Sequence, residues 1–307
     1  MRAKRLLVLG AIGVVGLGSA AYFADPDRRL AGMVAAEPFH AGRAASAWQK
    51  DLSLPDGVRR AAAFERLESG KADGVPVLVW ILRRPVGNEA RWNAADVLGR
   101  IGAEARGSAT ALLPALDDED PYIRTTAYKA LSKFAPKPAD ALPPELGEVV
   151  PRLVTKFPAV EAIRVAADYK RHAAPAVPKL TELLTHADAA VRWNAARTRG
   201  KIGPDAKAAL PGLLAQLADP DQAVREHACE ALGDIGPAVA EATPALAKMF
   251  NDPQWKVRRD AVRATGQMGR EAKGVLAEVQ RLKADPEAEV RTAATTAERL
   301  IDPSLAK

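Results

Sequence analysis

Along most of this chain apolar residues recur with the period of a helix, and the helices themselves recur every 33 residues. Within 219–236, Val224, Ala228, Leu232 and Ile235 fall inside an arc of about 80° at 100° per residue, which is the inward stripe of an amphipathic helix. The stripe is restated through the pattern V-R-x-x-A-x-x-x-(L)-G-x-I-G. Its Arg and Ala stand at Arg91/Ala94, Arg124/Ala127, Arg192/Ala195, Arg225/Ala228, Arg258/Ala261 and Arg291/Ala294. A unit of this size is too small to bury its own apolar face, so the pattern predicts units stacked on one another.

Each unit reads as two helices. Asp219, Asp252 and Asp285 stand directly before Pro220, Pro253 and Pro286, which predicts an Asp N-cap with Pro at the first helical position. Gly236 predicts a left-handed stop, and Pro237 prevents continuation. A second helix follows, as in 210–217, with Pro178, Pro211 and Pro244 in first turns where a missing N–H does little harm. Gly99, Gly200, Gly233 and Gly266 lie inside the first helices, where each costs about 1 kcal/mol, so their recurrence predicts a neighbouring helix passing close by.

Full units are expected at about 56–84, 88–118, 119–157, 158–186, 187–218, 219–251 and 252–284, closed by a lone helix over 286–301. The third and fourth keep the period poorly. Pro136, Pro138, Pro143 and Pro144 crowd a long inter-helix loop there, and such loops emerge on one face of a stack, making this one a candidate contact. At the other end, His40–Leu52 with Trp48 reads as a capping helix, and Leu54-Pro-Asp-Gly-Val-Arg59 imitates a repeat junction. The resulting division is a signal anchor or signal peptide over 1–24, a tether over 25–39, a cap over 40–54, the array over 55–302 and a tail over 303–307.

The Asp six residues before the Arg (Asp219/Arg225, Asp252/Arg258, Asp285/Arg291) and the A-x-x-x-L-G-x-I-G helix end make the chain resemble HEAT repeats, in the short bacterial form also found in phycobilisome-lyase-like proteins. The resemblance covers roughly 55–301. It implies an all-α, right-handed α-solenoid of about seven two-helix repeats plus terminal half-units. It also implies a ladder along the loops in which Asp219, Asp252 and Asp285 bind Arg225, Arg258 and Arg291. The T-P-L-H of ankyrin repeats and the W-x-x-L-G-x-x-Y of tetratricopeptide repeats are missing.

Composition supports closely stacked helices, with 48% apolar residues and only 5% aromatic in 307. Arg2, Lys4 and Arg5 precede an uncharged run, Leu6–Ala24, long enough to predict an N-terminal membrane segment and a place in the cell envelope, membrane-anchored with the repeats on the non-cytoplasmic side, or secreted or periplasmic if the segment is cleaved. Without those three basic residues, 41 Lys+Arg stand against 38 Asp+Glu, so the basic excess says little about nucleic acid.

Chemistry is sparse. His40, His172, His186 and His227 show no metal-binding spacing, Cys229 has no second cysteine to join, and the His-Glu dipeptides of HEAT-repeat hydroxylases do not occur. No cofactor, metal or enzymatic activity is expected. The expected function is a protein-binding scaffold or adaptor; the alternatives are a bilin- or haem-handling lyase-like factor and a nucleic-acid-binding solenoid. Against the last, the second-helix positions Glu182, Ala215, Lys248 and Arg281 mix signs. Candidate partner-binding residues are Trp255, in a first helical turn, with Lys248 and Arg281, and the paired Trp92 and Trp193 of the two R-W-N-A-A copies. Trp92 and Trp193 also fit a second role, filling the seam between adjacent first helices.

Overall fold

The computed structural model of the chain describes residues 26–84 and 87–305. By contacts it forms two compact units divided between Phe134 and Ala135, at the head of the proline-rich loop and inside the expected third repeat.

The first unit opens with α1 (Arg29–Val34) and a hairpin, β1 (Phe39–His40) against β2 (Arg43–Ala44), leading into α2 (Ala45–Leu52). The expected helix over 40–52 therefore starts five residues late. Ala41 and Gly42 take positive φ, 49° and 74°, and turn the chain back to form the hairpin, whose strands are too short to show alternation in sequence. Trp48 on α2 is fully buried, its Nε1 donating to the His40 carbonyl at 3.2 Å. The Arg43 guanidinium lies 4.3 Å from the ring centroid and reaches Asp27 at 2.9 Å and Asp51 at 2.7 Å. Then follow α3 (Gly57–Ser69), α4 (Val75–Leu82), α5 (Asn88–Ile101), α6 (Ala109–Leu112) and α7 (Pro121–Phe134).

The second unit runs α8 (Val149–Val154), α9 (Val160–Asp168), α10 (Val177–Leu183), α11 (Ala189–Ile202), α12 (Leu210–Gln216), α13 (Gln222–Ile235), α14 (Thr243–Lys248), α15 (Trp255–Gln267), α16 (Leu276–Arg281) and α17 (Ala288–Ile301). Short second helices alternate with longer first helices, which pack on one another in order, α11 on α13, α13 on α15 and α15 on α17. The seam between them is glycine against alanine. A Cβ at Gly200, Gly233 or Gly266 would sit 2.8 Å from the Cα of Ala231, Ala264 or Ala297, each 31 residues on, and Gly99 meets Ala130 at 3.0 Å within the first unit. Only a hydrogen fits there, so the glycines expected to be packing devices are packing devices.

Both helix boundaries differ from expectation in one respect each. The helices after Asp219, Asp252 and Asp285 begin three residues later, at Gln222, Trp255 and Ala288, with Asp221, Gln254 and Glu287 as N-caps. The pre-proline aspartates instead tie down the turn, accepting from the amides of Asp221, Gln254 and Glu287 at 2.9 Å. At the other end Gly203 and Gly236 have positive φ (82° and 74°) but ψ of −146° and −149°, an extended rather than left-handed-helical conformation open essentially to glycine alone.

The envelope placement requires correction. Among the described residues no helix is long and apolar enough to cross a membrane, and Leu6–Ala24, on which anchoring and export rested, lies outside them.

Candidate interaction surface

The recurrent charges form a ladder, but the carboxylates of Asp219, Asp252 and Asp285 pair with Arg192, Arg225 and Arg258, one unit earlier than the expected Arg225, Arg258 and Arg291. Each arginine grips its own turn through Nη1: Arg192 on the His186 and Ala187 carbonyls at 2.9 Å each, Arg225 on those of Asp219 and Pro220 at 2.9 and 3.2 Å, and Arg258 on those of Asp252 and Pro253 at 3.0 and 3.4 Å. The opposite edge, Nε and Nη2, forks onto a carboxylate 27 residues on. Arg192 takes Asp219 at 2.8 and 2.9 Å, Arg225 takes Asp252 at 2.8 and 3.2 Å, and Arg258 takes Asp285 at 2.8 and 2.9 Å. Asp219 thus serves Arg225 through its backbone carbonyl and Arg192 through its side chain, which ties each unit to the next. The geometry is that of a charge-assisted bidentate pair. Its electrostatic trace is a carboxyl of Asp285 below the usual range, chiefly through the Arg258 hydrogen bond. In the first unit Arg91 pairs with Asp118, and the register begins at Arg60 rather than Arg59, since Arg60 Nη1 reaches the Leu54 carbonyl at 3.4 Å and Glu89.

The expected partner-binding residues fall into three situations. Trp193 is half-buried and stacks on His227 of the next first helix, ring centroids 4.8 Å apart at 26°, so it fills the seam between α11 and α13. Trp92 is half-buried on α5. Trp255 is half-buried at the start of α15, with the Arg259 guanidinium 5.3 Å and the Lys256 ammonium 5.9 Å from its ring centroid. Lys248 is exposed at the end of α14, which packs against α15, whereas the exposed Arg281 ends α16, which packs on α17 one unit further. The structure therefore groups Lys248 with Trp255 by element and sets Arg281 apart. Arg259 is held from behind by Asp260, at 2.8 Å to each oxygen, so its position over the ring is fixed.

Other features lay beyond the sequence reading. His227 Nδ1 lies 2.8 Å from Glu230, whose carboxyl falls to about 2, chiefly through that hydrogen bond. Lys201 joins Glu230 and Asp234 at 3.5 and 2.8 Å. On α3, Glu68 stands eight residues after Arg60, the place glycine holds after the later ladder arginines; there a groove of about 690 Å³ opens, lined by Phe64, Glu65, Glu68 and Arg100. The proline-rich loop exposes 137–141 and is tied back by Arg171, donating to the Asp140 carbonyl at 3.1 Å. Cys229 is fully buried, and burial pushes its thiol up, away from the reactive thiolate.

This α-solenoid of helix pairs is a HEAT-repeat protein: the family's HEAT repeats match residues 52–132 and 210–297, and the chain belongs to that family. It is similar in structure to an engineered protein (TM-score 0.54, 22% identity, 84% of this chain and 78% of that one) and to importin beta (TM-score 0.59, 14% identity, 85% and 41%). A mutant Kap121p is similar too (TM-score 0.58, 14% identity), with 84% of this chain covering 33% of that one. These likenesses show the fold. Comparison with curated proteins gives no match.

Proposed function

We propose that the chain is a non-catalytic protein-binding scaffold whose partner docks on the C-terminal repeats around Trp255. The observation that carries this reading is the contrast between spent and unspent groups on one stretch of chain. Arg192, Arg225 and Arg258 and their aspartates are consumed in linking units, with Arg258 and Asp285 side chains only 14% and 5% exposed. Trp255 by contrast presents part of its indole at a helix start, framed by Arg259 and Lys256, with Lys248 exposed on the helix packed against it. A rigid aromatic flanked by two cations is the kind of group that dominates binding energies, and stacked repeats supply an extended surface around it. Arg281, one unit on, would extend such a surface rather than share its centre.

A photo-crosslinking amino acid at position 255 tests the proposal in cells. Discrete protein adducts are expected at 255 and not at an exposed control such as position 271. Equal labelling at both positions, or none at 255, would refute the assignment.

A further inference from the structure

The ladder of the second unit ends on an open edge. Arg291 grips its turn as its predecessors do, Nη1 donating to the Asp285 and Pro286 carbonyls at 2.8 Å each. In Arg192, Arg225 and Arg258 this grip aims Nε and Nη2 at a carboxylate, but Arg291 is exposed and forms no ion pair among the described residues. We propose that the Nε/Nη2 edge of Arg291 is a docking point for an aspartate or glutamate side chain of a partner protein, taken in the same bidentate pose. This inference rests on the scaffold reading and names the chemistry of one contact in it.

The same molecule provides the precedent three times, at Arg192, Arg225 and Arg258, while Arg124, gripping the Asp118 and Glu119 carbonyls at 2.7 and 2.9 Å, forms no ion pair among the described residues. A guanidinium anchored on two carbonyls has lost most of the freedom that makes exposed arginines weak binders, and its planar fork matches a carboxylate. Other occupants fit worse. A second copy of this chain stacked end to end in the repeat register offers no matching aspartate, because the turns gripped by Arg60 and Arg192 carry Leu54 and His186 where those gripped by Arg225, Arg258 and Arg291 carry Asp. A further helix stacked as closely as α17 is on α15 would meet Arg299, exposed eight residues after Arg291, at the place where Gly266 admits the Cα of Ala297. A dense polyanion such as nucleic acid would meet Glu287 and Glu289, both exposed on the same turn. What remains is a single carboxylate on a turn or extended segment.

The test uses the full chain, with 15N on arginine side chains, and an end-blocked peptide copying Gln216–Ala223, which contains the turn that Arg192 already binds. The Arg291 Nε–H resonance is expected to move saturably at millimolar peptide. Binding should weaken about five-fold or more in R291Q, and equally when both aspartates of the peptide are replaced by asparagine. Unchanged binding to R291Q, or no movement of the Arg291 resonance up to about 20 mM peptide, overturns the proposal. The crosslink at 255 separates the two readings: adducts that persist while Arg291 ignores the peptide leave the scaffold and remove this contact, and the opposite pattern does the reverse.

Discussion

Arg199 is the residue least at ease in its surroundings. It stands seven residues after Arg192, the place that Leu98 and Leu232 hold after Arg91 and Arg225, so it occupies a core leucine slot. It is fully buried, none of its three side-chain nitrogens has a hydrogen-bond partner, and burial pushes the guanidinium down to about 10. An unpaired buried cation costs more than a well-packed apolar side chain of similar reach. Arg199→Leu should therefore stabilise the protein by about 1–4 kcal/mol, seen as a higher urea midpoint at unchanged slope; a lower midpoint would mean that the fold satisfies the guanidinium after all. The repeat register exposes this exception in the sequence. Its burial is not legible there, because an arginine on a helix flank ordinarily carries its charge out to water. Trp193 shows the same limit: spacing left it either packed or exposed, and only the position of His227 on the next helix decides for stacking.

At the scale of elements, local signals located the helices and misjudged their ends. The Asp-Pro turns were legible as helix approaches, yet Asp252 and Asp285 are not the caps, because their carboxylates are engaged by arginines 27 residues earlier and no window of neighbouring residues reveals that contact. The Gly–Ala seam was legible as a close approach, and its partner follows from the period. The ladder makes stability acid-sensitive. The carboxyl of Asp285 is lowered from 3.8 chiefly by Arg258; that of Asp219 is also lowered, where burial alone would raise it, by its hydrogen bonds from Arg192 and the Asp221 amide. A carboxyl with a lowered folded value contributes stability that is present above its unfolded value and lost as the pH falls through the folded one. Glu230, taken from 4.5 to about 2, acts in the same direction. Unfolding free energy should accordingly hold steady from neutral pH to about 4.5 and decline below it, with a shallower decline in Arg258→Gln; a decline as steep in that variant as in the parent would show that the ladder carries no such linkage.

For the whole molecule, the period of 33 and the apolar stripe identified the repeat class without help from structure, because a solenoid writes the same short-range instruction many times. What the period could not show is where contacts thin out enough to separate the chain into two units, a division that falls between Phe134 and Ala135, just before the prolines that break the pattern. Nor does a repeat pattern name a partner, since the residues that recur inside the array are largely committed to the stack. The candidate surface accordingly rests on Trp255, a residue that breaks the pattern. The most direct measurement is partner capture plotted against thermal midpoint for Asp252→Asn and Trp255→Ala. Asp252→Asn should lower stability by about 1–3 kcal/mol, between a surface and a buried ion pair, with capture by the folded protein unchanged. Trp255→Ala should weaken capture about five-fold or more while leaving the midpoint nearly still. If Trp255→Ala instead lowers the midpoint as Asp252→Asn does, and capture falls only in proportion, Trp255 is part of the packing and the surface around it is not where a partner binds.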